Sequence, residues 1–188
     1  AIAGRVTWGK SLDIISGATG IGLFLIRAGR LDRAREAGDF LLGHGPPWLA
    51  EVGDRTLYPN FAHGTSGVAF FLASLYAASN DERFLRGAVA GAEWLLERSH
   101  DGAWFHHEPG GKDLRYAGWC HGPAGTGRLF YLLHRITGAR RWLDASWTAR
   151  PTVPVEDGAK IDQSALEFGL VGVAKAVAVP YLLLNLVV

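Results

Sequence analysis

The sequence predicts an all-α protein of the α/α toroid class, in which helical hairpins stack into an inner and an outer layer. Three observations predict this fold: four Gly-x-x-Gly units recur along the chain, each leads into an apolar run of helical length, and amphipathic segments separate them. The first glycines of the units, Gly17, Gly64, Gly122 and Gly169, are 47, 58 and 47 residues apart. A recurrence of this kind is typical of a repeat architecture.

The apolar runs predict the inner helices, because a helix that is apolar around most of its circumference is buried on most faces. Glycine at the start of each run permits a tight turn and a close approach of the backbone. The runs are Ile21–Ile26, Val68–Tyr76, Arg128–Ile136 and Val173–Leu186.

The intervening segments predict outer helices, since each repeats apolar residues at a spacing of three to four. They are Leu31–Leu42, a segment opened by Asp81-Glu82-Arg83, and Arg140–Trp147. No comparable stretch alternates with period two, so strands should be scarce. We expect one domain over residues 1–188, with about four repeats. At this length the toroid should be incomplete or open, as a fragment of a larger ring or one that closes by association.

The amino-acid composition argues against a nucleic-acid-binding protein and against a disulfide-rich protein. The 19 Lys and Arg residues balance 18 Asp and Glu, whereas a nucleic-acid binder usually carries a basic excess. The single cysteine excludes an intramolecular disulfide framework and fits a reducing compartment, so we expect a cytoplasmic protein. Val171–Val188 is the longest apolar stretch, but Lys175 and Pro180 interrupt it. We therefore predict a buried core helix there and no membrane span.

The residues just before the glycine units should meet at one mouth of the inner layer. The most specific motif there is Gly118–Gly125, which contains Cys120 beside His121 at the start of an inner helix. The helix dipole would favour a thiolate at this place. A Cys–His pair also offers ligands that suit zinc. A buried, inert cysteine is the alternative. The residues expected at the mouth are Asp13, His63, Cys120, His121, Glu167 and Phe168.

Two further residues are candidates for acid–base chemistry. His63 precedes Gly64 as His121 precedes Gly122, which makes it a candidate acid, base or ligand, with helix capping as the alternative. Asp13 lies four residues before Gly17, where an N-cap or turn role is the alternative. The adjacent histidines of Trp104–Gly111 predict a loop that lines the cavity rather than a metal site.

The strings Tyr58–Gly67 and Gly118–Gly125, within this repeat, resemble the lanthionine synthetase C-like family of zinc-dependent peptide cyclases. The resemblance extends from about Asp13 to about Gly172. It implies an α/α toroid with a zinc ion at the mouth of the inner barrel. It also implies a dehydrated precursor peptide as substrate, whose cysteine thiol adds to dehydroalanine or dehydrobutyrine to close a thioether ring.

The resemblance also implies roles for individual residues. Trp119-Cys120 matches the string that supplies one zinc cysteine, His63 matches the proton-transfer histidine, and Asp13 matches an acidic residue of the first motif. Arg115 lies near the family's active-site arginine, one residue too far from the cysteine.

The second zinc pair of the family, Cys-His before the next glycine, is replaced here by Glu167-Phe168. Alternatively, Cys120-His121-Gly122 is itself the Cys-His-Gly string, and the other cysteine is absent. Zinc accepts carboxylates, so the candidate metal ligands are Cys120, His121 and Glu167.

Three functions follow from these observations. The first is a zinc protein that forms thioether rings in a peptide, and the second is a non-catalytic, degenerate member of the family that binds a peptide. The third is an α/α toroid carbohydrate enzyme with paired carboxylates from Asp13, Glu108 and Glu167. It ranks last because it leaves Cys120-His121 unexplained. Arg150–Gln163 receives no functional interpretation.

Overall fold

The structure is a computed structural model that describes residues 8–149. This part of the chain is all-helical, with isolated β-bridges in the loops and no strand, which confirms the predicted class. The helices are α1 (Ala18–Arg27), α2 (Leu31–Leu42), α3 (Thr65–Ser79), α4 (Glu82–Leu96), α5 (Pro123–Thr137) and α6 (Arg140–Thr148).

The six helices form three hairpins in two layers. Helices α1, α3 and α5 lie side by side as the inner layer, and α2, α4 and α6 pack against them as the outer layer. Helix α3 is the central element, since it contacts α1, α2, α4 and α5. This arrangement is an arc of an α/α toroid. The predicted fourth inner helix, Val173–Leu186, and the segment Arg150–Gln163 lie outside the described residues.

The core lies between the layers, and the facing sides of α3 and α4 form its centre, with further buried residues from α2, α5 and α6. Its largest members are fully buried and include Phe71, Leu72, Leu75, Phe84 and Leu95. The small residues of α4 allow close packing: a Cβ on Gly91 would contact the Trp48 ring and Ala69. Burial of this apolar surface is the main contribution to stability.

A buried tryptophan follows each of the first two outer helices and bonds to its end. Trp48 Nε1 donates to the carbonyl of Leu41 at 2.7 Å, and Trp104 Nε1 donates to that of Leu95 at 2.8 Å. Both carbonyls belong to the penultimate residue of their helix. Helix C-termini leave such carbonyls without intrahelical partners, so the indoles end the outer helices in the same way in two repeats.

Trp104→Phe should therefore lower the free energy of unfolding by about 1 kcal/mol, because the Leu95 carbonyl loses the indole donor and keeps only the Arg98 amide, at 3.1 Å. Urea unfolding followed by circular dichroism measures this loss. Trp94→Phe, on α4, is the control, since the Trp94 indole has no hydrogen-bond partner in residues 8–149. Equal losses in both variants would show that ring size, and not the hydrogen bond, determines the effect.

Helix α1 departs from the expectation that inner helices are buried on most faces. Phe24 is 68% exposed and Ile21 45% exposed. The reason is its position, because within residues 8–149 α1 packs only against α2 and α3. The expected association that closes the toroid remains a prediction. No helix of the described part is long and apolar enough to cross a bilayer.

Candidate functional site

The glycine units fix the loops before the inner helices. In all three described units, a Cβ on either glycine would collide with the carbonyl oxygen of the residue six positions earlier. The first glycines have φ values of −109°, −144° and −113°, which any residue can adopt. Close approach, not a left-handed conformation, therefore requires glycine. The pairs are Gly17–Ser11, Gly20–Ile14, Gly64–Tyr58, Gly67–Phe61, Gly122–Tyr116 and Gly125–Trp119.

Backbone hydrogen bonds through Ala62 join the three loops. The amide of Ile14, in the first loop, donates to the carbonyl of Ala62 at 3.0 Å. The amide of Ala62 donates to the carbonyl of Cys120, in the third loop, at 2.9 Å. The residues beside these three positions are thereby brought to one place, as the repeat predicted.

Asp13 and His63 form the central contact of the site. His63 Nδ1 lies 2.7 Å from Oδ2 of Asp13. The other carboxylate oxygen, Oδ1, accepts the amide of Ser16 at 2.8 Å and the hydroxyl of Ser11 at 3.2 Å. Asp13 thus holds its own turn with one oxygen and orients the imidazole with the other. The predicted turn role is present, and the same side chain contacts the candidate base His63.

The charge on Asp13 determines the tautomer of His63. Burial alone would raise the pKa of Asp13, but the hydrogen bonds from the Ser16 amide and His63 outweigh it and lower the pKa below the usual 3.8. The carboxylate is therefore ionised at neutral pH and can only accept. His63 Nδ1 must be the donor, which leaves the lone pair of the neutral ring on Nε2. About a third of the His63 side chain is exposed, so the site holds an oriented, accessible base.

His121 lies next to His63, with ring centroids 5.5 Å apart in a stacked arrangement. Burial, followed by the nearby His106 and His63, lowers the pKa of His121 to about 4. The imidazole is therefore neutral at pH 7. Its Nδ1 is buried and has no hydrogen-bond partner among the described residues.

The loop of His106 and His107 forms a further wall of the site, as its sequence predicted. The His106 ring lies 4.4 Å from that of His121 and 4.9 Å from that of Tyr116. Tyr58 contacts both His106 and His107. The contact of His106 with His121 was not predicted, because an irregular loop gives no periodic signal of which ring faces which.

The other residues that the sequence predicted for the site differ in where the structure places them. Cys120 is an exposed free thiol, so the alternative prediction that it is buried is wrong. Arg115 is exposed, and its guanidinium donates to the carbonyls of Lys112 and Leu114 in its own loop. The structure therefore does not bring Arg115 to the Asp13–His63 pair. Glu167 lies outside the described residues.

The donor chemistry around Cys120 fits zinc. An exposed thiol and a neutral imidazole with an unpartnered Nδ1 are ligand types that zinc accepts. A catalytic zinc takes about three protein ligands. Residues 8–149 contain no group of three His, Cys, Asp or Glu side chains arranged to hold a metal ion. The described part thus offers two candidate donors of suitable type, and a third would have to come from elsewhere, for which Glu167 was predicted.

Comparisons with known proteins agree with the fold. A family model described as "Lanthionine synthetase C-like protein" matches residues 49–150, just over half of the chain. No curated protein matches the sequence. A solved glycoside hydrolase family 76 mannosidase, Bt3792 from Bacteroides thetaiotaomicron VPI-5482, has a TM-score of 0.56 and 16% identity over 70% of this chain. The match covers 41% of the mannosidase, so the chain spans about two fifths of its length, and this similarity shows the fold alone.

Proposed function

The chain belongs to the lanthionine synthetase C-like family, and we propose that it adds a cysteine thiol of a dehydrated peptide to dehydroalanine or dehydrobutyrine, which closes a thioether ring. The hydrogen bond between Asp13 and His63, beside exposed Cys120, carries this proposal. It supplies an oriented base that is about a third exposed to solvent. A reaction that needs free thiols fits a reducing compartment, and we place it in the cytoplasm.

The proton balance of the reaction needs one group that first takes and then returns a proton. Nε2 of His63 accepts the proton of the peptide thiol while Asp13 stabilises the imidazolium through Nδ1. The thiolate sulfur bonds to Cβ of the dehydro residue, and the electron pair of the double bond moves to Cα and its carbonyl. Nε2 then returns the proton to Cα. The net change is addition of S–H across the double bond, with no oxidant or reductant.

Zinc is the proposed cofactor, and Cys120 and His121 would hold it, with Glu167 as the proposed third ligand. When bound, zinc lowers the pKa of a thiol beside it. The neutral state of His121 at pH 7 supports this assignment, because only an unprotonated imidazole ligates a metal.

Ring closure itself tests the proposed activity. The substrate is a synthetic peptide with one cysteine and one dehydroalanine, and closure leaves its mass unchanged. Iodoacetamide followed by mass spectrometry therefore reports the remaining free thiol. We expect the protein to remove alkylatable thiol faster than buffer alone. An unchanged rate with zinc-loaded protein would overturn the proposed activity.

Zinc content gives a second, independent test. We expect about one zinc per chain in the purified protein and none in Cys120→Ala, because no other thiolate exists in the sequence. Elemental analysis measures both. His100→Ala is the control, since that histidine is 84% exposed and outside the site. Full zinc in Cys120→Ala would remove Cys120 from the ligand set.

A non-catalytic peptide-binding domain is the second candidate. The single cysteine favours it, because the family pattern uses two cysteines as zinc ligands and this sequence has one. In that case the protein would contain no zinc and close no ring, yet still bind peptides beside Asp13 and His63.

The carbohydrate alternative gains no support from the mannosidase similarity, which extends to the fold alone. In the described part, Asp13 bonds to His63, and Glu108 forms an ion pair with Lys112 at 2.9 Å. Glycoside hydrolysis needs two carboxyl groups that face each other across the substrate. Two carboxylates already engaged by separate partners do not favour that arrangement.

A further inference from the structure

A half-buried arginine lies on the inner layer beside the site. Arg128, in the second turn of α5, has its guanidinium carbon 5.2 Å from the ring centroids of both Phe61 and Phe70. No carboxylate of residues 8–149 forms an ion pair with it, and no hydrogen bond within that range involves its side chain. Burial lowers its pKa, but an arginine stays charged at neutral pH. The protein thus holds a partly desolvated cation without a counter-ion in the described part.

The aromatic contacts orient this cation without using its hydrogen-bond donors. A guanidinium that lies over aromatic rings is held by its face, so its N–H groups remain available at the edge. None of its nitrogen atoms is among the sealed, unpartnered polar atoms of the described part. These nitrogen atoms therefore keep some exposure to solvent. The planar fork of N–H groups matches a carboxylate in a bidentate way.

The same aromatic rings connect Arg128 to the site. The Phe61 ring is 5.3 Å from the Trp119 ring, and Trp119 precedes Cys120. Phe61 itself lies two residues before His63. The path from the Trp119 ring to the Arg128 guanidinium runs through the Phe61 ring, in two contacts of 5.3 and 5.2 Å. An extended peptide of roughly three residues has the length of this path.

We propose that Arg128 binds a carboxylate of the peptide substrate, a few residues from the reacting cysteine, and so gives the site a preference for acidic peptides. This inference rests on the proposed function for the nature of the ligand. The carboxylate is either an Asp or Glu side chain or the C-terminus of the peptide. Both present the same chemistry to the guanidinium.

The test measures the affinity of the full chain for matched peptides that cannot react. Each is fluorescently labelled, carries one cysteine, and has alanine where the dehydro residue would be. In one series, each peptide has a single Asp at a position one to four residues from the cysteine, and its matched control peptide has Asn at the same position. A second series has a free or an amidated C-terminus. Fluorescence anisotropy gives the dissociation constants.

We expect the carboxylate form in at least one pair to bind about tenfold more tightly, as a charged hydrogen bond implies. Arg128→Gln should abolish this ratio, and Arg128→Lys should keep part of it. Arg135→Gln, the same change at an exposed position of α5, should leave it intact. The peptide pair that differs in affinity shows whether Arg128 binds an acidic side chain or the C-terminal carboxylate.

Three results would overturn the inference: no carboxylate preference in the unmodified protein, a preference that survives Arg128→Gln, or no binding of any peptide. If Arg128→Gln does not fold, NMR of the Arg128 Nε–H group in the unmodified protein tests the inference instead. Its signal must shift when the acidic peptide is added and must not shift with the matched neutral peptide. The peptides contain no dehydro residue, so a protein that prefers acidic peptides but closes no ring keeps this inference and overturns only the cyclase activity.

Discussion

Gly64→Ala should lower the free energy of unfolding by about 3 kcal/mol or more. A Cβ at this position would overlap the carbonyl oxygen of Tyr58. That oxygen cannot move away freely, because it accepts the amide of Thr65 at 3.0 Å. The loop must therefore shift as a whole and lose its bonds to the neighbouring loops. Urea unfolding followed by circular dichroism measures the loss as a lower midpoint.

Gly118→Ala is the matched control for this prediction. Gly118 lies in the third loop, and a Cβ there would meet nothing within 4 Å. The change should stay within about 0.5 kcal/mol. If Gly64→Ala proves as mild as Gly118→Ala, the close approach of glycine to the carbonyl does not determine the structure of these loops.

The helices could be predicted closely because their signals are local. Leu31–Leu42 was predicted from its apolar spacing and is α2, and the Arg140–Trp147 prediction differs from α6 by one residue. The inner helices begin earlier than their apolar runs indicate. Helix α3 starts at Thr65, directly after Gly64, because the second glycine of the unit lies within the first helical turn. Apolar periodicity cannot detect a turn made of Gly, Ser and Thr.

The site could be predicted in part, where the repeat places residues at equivalent positions. His63 and His121 hold equivalent positions, one residue before their first glycines, and their rings stack. Asp13 lies four residues before Gly17, so the repeat places it in the same loop cluster but does not predict its hydrogen bond to His63. Arg128 appeared in the sequence only as the first residue of an apolar run. Its significance comes from Phe61 and Phe70, which reach it from another loop and another helix. Such contacts between side chains of different elements leave no spacing signal in one sequence.

His63→Ala should slow ring closure by about 10²- to 10⁴-fold, because it removes the group that takes and returns the proton. Asp13→Asn should slow it by about 10²-fold or more, since a neutral amide neither fixes the tautomer nor stabilises the imidazolium. The iodoacetamide assay measures both rates. The two residues act as a unit, so the double variant should be no slower than His63→Ala alone. Losses that multiply would show that Asp13 and His63 act separately.

A second His–Asp pair in the same chain supplies the control. His100 Nδ1 lies 3.4 Å from a carboxylate oxygen of Asp101, and both side chains are more than four-fifths exposed. His100→Ala and Asp101→Asn should leave the rate unchanged, because that pair lies outside the site and solvent screens it. Zinc content must be measured in each variant. Loss of zinc in His63→Ala would make His63 a metal ligand, whereas a slow variant with its zinc intact would leave proton transfer at Nε2 as the function that was lost.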